Sequence, residues 1–470
     1  MKFPIANLVG KGFDGASNMS GKDEGVQQHL TTAGATKSTY FHCFPHRLNL
    51  VLEKSVDTVP AVNDVFDIIG SIYRYLEGSP KRHALYERKL REKGIMKGKI
   101  TLHSLSDTRW AAKSDNLETV INTMPAIVEI LKEMSIEGES AADGLLVRML
   151  KFKFILACFV LKKCFALCKS VSEYLQFKEM DLVSAVSGVQ SLKQALQDIR
   201  NDAKLDEFVQ EADNYCQLSH FKVTSFEEGV SKRKRTIPAH FRNGSEISYG
   251  ESSAVQEDQT DPSLYQKNRF RRDMYFPSLD RLISELDGRF SSQACAILLQ
   301  ASTFHSTKLM EHNVGKVKQL AAFYDVDSER VGSQFTLFSK STEVELWKKE
   351  YGDYLKDKER AEKDKAIQMP QKWLCFPSLL KIFAKNGLSN PFPELFEVVK
   401  IIATLPVTVA SCERAHSKVK IVNTYLRASM SDQRLEHLIE VSIERDIADK
   451  IELDSLLELF KTSGNRKLAL

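Results

Sequence analysis

The sequence has no long apolar run. Its longest unbroken stretch, Phe154 to Leu161, is far short of the ~20 residues a membrane helix needs, so no membrane partner is expected. Nor does it open with a charged n-region followed by an apolar h-region. Met1-Lys2-Phe3-Pro4 leads straight into a strand-like segment, and no secretory signal is predicted. The eight cysteines lack paired spacing. That argues against a disulfide framework and for reduced thiols in the cytosol or nucleus. Charge of one sign is also scarce, with a net +4 over 470 residues, so any nucleic-acid surface must be a local patch. What is present is an ordinary globular composition, 43% apolar and 27% charged. The length suits about two to four domains, or one core carrying a large insertion.

The opening reads as strand, turn, helix, strand. Phe3 to Val9 is a short apolar run, and Gly10, Gly12 and Gly15 punctuate the turn after it. Gly21 to Leu30 is compatible with a helix, and Thr39 to Phe44 is rich in aromatic and β-favouring residues. Two strands joined through a helix predict a parallel crossover. From about Arg47 to Leu405 the pattern is mostly helical. Val62, Val65, Phe66, Ile69, Ile72 and Tyr73 recur at steps of three and four, as do Leu117, Val120, Ile121, Met124, Ile127, Val128 and Leu131. Pro125 is expected to bend or break the second of these helices. Leu145 to Val171 reads as one long apolar helix, in which Cys158, Cys164 and Cys168 are expected to pack as small hydrophobes rather than bind metal.

Residues 227–262 are rich in Ser, Glu, Gln, Gly and Asp and read as a loosely held linker. Lys232-Arg233-Lys234-Arg235 near its start reads as a nuclear-localisation signal, a phosphate-contacting patch or a solvated loop. Glu343 to Lys365 predicts a charged, solvent-facing helix. Near the end, Cys412, Ala415, Val419, Val422 and Leu426 form one apolar stripe, and Leu435, Leu438, Ile439, Ile443 and Ile447 form another. Two such helices can pack on each other, on the opening sheet, or on a second copy.

Two carboxylates stand at the edges of apolar elements, Asp14 beyond the first strand and Glu413 in the first turn of a helix. Such a pair, from a strand end and a facing helix, can hold Mg²⁺ for in-line phosphoryl transfer. The plainer reading makes Asp14 a turn residue and Glu413 a helix N-terminal charge. Cys43 and His46, in Cys43-Phe44-Pro45-His46, form half a zinc site, and a structural role is expected for them. Trp110, in Asp107-Thr108-Arg109-Trp110, could stack on a base or pack in the core.

In this order the motifs resemble the hAT superfamily of DNA transposases, in particular the transposase-like region of zinc finger MYM-type proteins. The matching stretches are Gly10 to Gly21 (GKGFDGASNMSG), His42 to Leu50 (HCFPHRLNL), Thr108-Arg109-Trp110, and Leu405 to Ser417 (LPVTVASCERAHS). The resemblance implies an α/β fold with a large all-α insertion, mostly helical overall. A partial ribonuclease H-like core (residues 1–55) would be interrupted by a helical insertion domain (56–395). A hAT C-terminal dimerisation region (396–450) would complete the core, with a tail at 451–470. On that reading Asp14 and Glu413 match catalytic residues, Cys43 and His46 the family's Cys-x-x-His motif, and Trp110 the insertion-domain tryptophan.

The resemblance also implies a departure. The family's first catalytic Asp lies on a strand upstream of the segment that opens here, so an N-terminally truncated core without that ligand is expected. The expected function is that of a transposase-derived, nuclear protein without catalysis. It would act as a homodimer through its C-terminal helices, with DNA a further partner through Trp110 and Lys232 to Arg235. The alternatives are a helical protein-interaction scaffold or transcriptional co-regulator, and an active transposase whose first Asp comes from a missing N-terminal region. No cofactor is expected, unless a longer form is catalytic and takes Mg²⁺.

Overall fold

The computed structural model describes residues 4–95, 98, 100–104, 110–176, 182–223, 262–305, 309, 313–363, 375–406, 410–424 and 429–462. Within these, only the backbone is described for 110–112, 182–184, 262–263, 375, 410–414, 416 and 446. The linker region 227–261, with Lys232 to Arg235, lies outside the described residues.

Two short strands, β1 (Gly10–Phe13) and β2 (Thr39–His42), pair in parallel, with Gly10 opposite Thr39 and Phe13 opposite His42. Parallel neighbours need a crossover, here made by α1 (Ser17–Ser20) and α2 (Val26–Thr32). The first strand begins later than the apolar run Phe3 to Val9 predicts. Pro4 fixes its own φ and has no N–H to give a ladder, and Ile5–Asn7 closes as a 3-10 turn, the Leu8 amide donating to the Ile5 carbonyl at 3.0 Å. Pairing starts only at Gly10.

Helices follow almost without interruption. The first three, α3 (Phe44–Thr58), α4 (Pro60–Glu77) and α5 (Pro80–Glu92), each carry proline in their first two positions, where its missing N–H costs nothing. The predicted face of α4 is the buried one, with Val62, Val65, Phe66, Ile69 and Ile72 all in the core. The next helix, α6 (Trp110–Ile136), runs through Pro125 without the break that was one of the two expected outcomes there. Met124, Ala126, Ile127 and Val128 around the proline are fully buried. Packing there outweighs the roughly 3 kcal/mol that an interior proline costs a helix through its missing N–H and the clash of its ring with the preceding turn.

The predicted long helix from Leu145 is two, α7 (Ser140–Met149) and α8 (Phe152–Leu175), with extended Lys151 between them. Its apolar pattern continues across the joint because both helices bury their ends, so hydrophobicity alone does not mark the break. Cys158, Cys164 and Cys168 are fully buried on α8, and burial pushes all three thiols up, Cys164 to about 12.

There follow α9 (Leu182–Asp198) and α10 (Asp202–Leu218), the latter capped by Asn201, whose side chain accepts from the Lys204 amide at 2.9 Å. A π-helical turn, Arg271–Tyr275, links α11 (Pro262–Phe270) to α12 (Phe276–Phe290). Then come α13 (Gln293–Ala301), α14 (Val314–Phe323), α15 (Ser328–Ser339), α16 (Thr342–Lys363), α17 (Cys375–Lys385) and α18 (Pro393–Thr404). As its charge predicts, α16 is largely exposed, burying only Val344, Trp347 and Ala361. One contiguous core of buried side chains extends from Phe41 to Leu405. Among the described residues, no helix is long and apolar enough to cross a membrane.

The chain ends in α19 (Ala410–Val422), α20 (Asp432–Ile443), α21 (Arg445–Ala448) and α22 (Leu453–Thr462). The first two pack on each other. No residue of α20 or α22 is buried.

Candidate functional site

Asp14 and Cys43 follow β1 and β2 directly, so both stand at the carboxyl ends of parallel strands, where open α/β sheets place functional groups. The Cys43 amide donates to the Phe13 carbonyl at 3.0 Å, which carries the ladder one residue past the strand. The Asp14 carboxylate accepts from the Ala16 amide at 3.2 Å and so closes the turn into α1. Its backbone carbonyl accepts from the Tyr40 hydroxyl at 3.0 Å. Asp14 is therefore seated as a turn residue.

Gly15 is pressed against two imidazoles. A Cβ built there would lie 2.7 Å from His42 Cε1 and 3.3 Å from His46 Nε2, so only glycine fits without displacing the rings. The rings of His42 and His46 are 5.4 Å apart, tilted by 31°. Tyr40 also stacks on His42, with ring centres 6.2 Å apart. Within the protein, His42 Nε2 is buried without a hydrogen-bond partner. Burial, helped by the charge of Arg47 and by His46 and Arg289, lowers the His42 pKa to about 4. It is a neutral imidazole at physiological pH.

Cys43 is buried, 1% exposed, and caps α3, its carbonyl accepting from the Arg47 amide at 2.9 Å. Arg47 is itself buried. Its guanidinium donates to Ser292 Oγ and Cys295 Sγ, both at 3.2 Å, and lies 5.8 Å from the centre of the Phe290 ring. Phe44 meets the same ring edge-on at 5.1 Å. This stretch thus ties the strand end to α12 and α13. Among the described residues, no group of three or more His, Cys, Asp or Glu is placed to hold a metal ion.

Leu405 and Pro406, which precede α19, come back against β1. A Cβ on Gly10 would lie 2.7 Å from Pro406 Cδ and 3.5 Å from Leu405 Cδ2. The segment that leads into α19, and so to Glu413, therefore starts beside β1. The side chains of Glu413 and Trp110 are outside the described residues. His42, Gly15 and Arg47 are the residues that pattern reading missed. The available signal was the second histidine, placed four residues before His46, so that one ring leaves the strand and the other the helix beside Gly15.

The C-terminal helices supply a different kind of site. Along α20 and α21, Leu438, Val441, Ile443 and Ile447 are 37%, 59%, 43% and 62% exposed. On α19, Ile421 is 65% exposed. Leu435 and Ile439, both half-buried, share one face of α20 with Leu438.

Comparison with known proteins bears on this region. Residues 350–447 match the hAT family C-terminal dimerisation region. The matched stretch covers most of α16, then α17 to α20 and most of α21. The chain is also similar to two curated proteins, each named 52 kDa repressor of the inhibitor of the protein kinase. The Mus musculus protein is 21% identical over 373 residues, which cover 76% of this chain and 43% of that protein. The Homo sapiens protein is 20% identical over 444 residues, covering 91% of this chain and 52% of that protein. The chain spans about half the length of the curated relatives it matches. No solved structure matches it.

Proposed function

We propose that this chain is a hAT-transposase-derived protein that works by associating with a second copy of itself, and that strand cleavage is not its task. One observation carries the reading. Apolar side chains on α19 to α21, namely Ile421, Leu438, Val441, Ile443 and Ile447, are exposed in the single chain, and most of that region matches the family's dimerisation region. Burial of apolar surface contributes about 25 cal/mol per Å², so covering these side chains favours a partner. A two-fold pairing would cover the same face on both copies.

In this reading the strand-helix-strand unit at the start belongs to a ribonuclease H-like core. Asp14 and Glu413 are the relics of its Mg²⁺ site, and Asp14 now serves the turn into α1. The MYM-type likeness of the motifs, nuclear placement through Lys232 to Arg235, and weak DNA contact through those residues and Trp110 belong to the same proposal. Repression by the curated relatives, as their name states it, makes a role as a transcriptional co-regulator the natural setting.

Light scattering over a hundredfold range of protein concentration tests the self-association, with a mass twice 53.2 kDa expected at the upper end. A mass of 53.2 kDa throughout would remove the reading. Metal-dependent cleavage of transposon-end DNA that is lost on Asp14→Asn would replace it with an active transposase.

A further inference from the structure

A cavity of about 340 Å³ opens between α4, the joint of α7 and α8, and the π-helical turn. That volume lies at the lower end of the roughly 300–1,000 Å³ of ligand pockets. Its floor is apolar, with Val65, Ile68, Phe154, Ala157 and Met274. Its rim carries three cations, Arg148, Lys151 and Lys153, against a single carboxylate, Asp64. None of the three has an ion-pair partner among the described residues. Lys151 is also the N-cap of α8, whose dipole adds positive potential at the rim. An apolar floor under uncompensated cations selects an occupant that brings apolar side chains and carboxylates together.

The chain carries such an element. On α22, Leu453, Leu456, Leu457 and Phe460 fall at steps of three, one and three, one stripe of a helix. They are 73%, 51%, 44% and 44% exposed. Glu452, Asp454 and Glu458 lie in or beside that helix with one lysine, Lys461, which pairs with Glu458 at 2.9 Å. This helix lies beyond the matched dimerisation region, which ends at residue 447, and it buries none of its residues on its own chain.

We infer that α22 of one copy docks its leucine stripe into the cation-rimmed cavity of a second copy, with Asp454 and Glu452 facing Lys151, Lys153 and Arg148. The contact is a helix laid into an apolar groove and oriented by charge. It rests on the self-association proposed above and assigns the tail a place outside the region that the family shares.

The test uses the full chain in two forms, one ¹⁵N-labelled and one carrying p-benzoylphenylalanine in place of Phe460. After mixing and irradiation, mass spectrometry locates the crosslinks. The expected product joins position 460 to labelled peptides that contain Phe154 or Met274. Lys151→Glu with Lys153→Glu in the labelled copy, both exposed positions, lowers its yield at least tenfold. Glu452→Lys with Asp454→Lys in the other copy restores it. Crosslinks confined to α19–α22, crosslinks within one copy, or a yield indifferent to both charge reversals would overturn the inference. Sedimentation of the same samples separates the two claims. A dimer without cavity crosslinks sinks only this inference, and a monomer sinks both.

Discussion

The helical body and the C-terminal helices have the same kind of sequence and opposite fates. In α4, α6 and α8, apolar residues at helical spacing are almost all buried, and Leu117, Val120, Met124, Leu156, Val160 and Leu175 are fully so. In α20 and α22, residues of the same types at the same spacing are exposed or half-exposed, and none is buried. Periodicity reports that a helix has an apolar face. It does not report where the covering surface comes from. In the body that surface is the neighbouring helix, and at the C-terminus it must come from elsewhere.

Four changes break or sharpen this contrast, the strongest first. Phe165 is 2% exposed and stacks on Phe66 at 5.8 Å, so Phe165→Ala should cost the body about 3–5 kcal/mol. Chemical denaturation would measure it, and a loss under 1 kcal/mol would mean that α8 is not the centre of the core. In contrast, Leu438→Asp with Ile443→Asp should leave the unfolding midpoint within about 0.5 kcal/mol of the parent. It should also weaken self-association by two orders of magnitude or more, since about 1.5–3 kcal/mol attaches to each buried aliphatic side chain. If the body melts instead, these residues belong to its core.

A third change probes the strand ends. Gly15→Ala drives a methyl into His42 and His46, and overpacking of this kind costs about 1–3 kcal/mol, read by thermal or chemical unfolding. An unchanged midpoint would mean that the rings move aside freely.

The smallest effect is on pH. The His42 pKa, near 4 in the folded chain against the usual 6.5, means that the unfolded chain binds the extra proton between those values. Stability therefore rises with pH through that window and falls as pH drops from about 6.5 towards 4. Partial exposure of the ring limits the effect to about 1–2 kcal/mol. The excess slope should vanish in His42→Gln, and a slope that survives the substitution would assign it to another group.

How much of this was legible beforehand follows from the physics of each element. The buried faces of α4 and α6 could be read from spacing, because burial selects apolar residues at a fixed angular interval. The joint between α7 and α8 could not, since Leu150 and Phe152 continue the apolar pattern across extended Lys151. The start of β1 was misplaced because Pro4 outweighs the propensity of Ile5 and Val9. Of the candidate site, the motif order brought out Asp14, Cys43 and His46. The contact of Gly10 with Pro406 and the crowding of Gly15 by His42 are tertiary facts that no local pattern encodes.

The central claim is that α19 to α22 find their cover on a second copy. Hydrogen exchange at several protein concentrations tests it most directly. The account predicts that amides of residues 432–462 gain protection as concentration rises, while those of α4, α6 and α8 do not change. Exchange in 432–462 that is equally fast at every concentration, in a chain that sediments as a dimer, would contradict it.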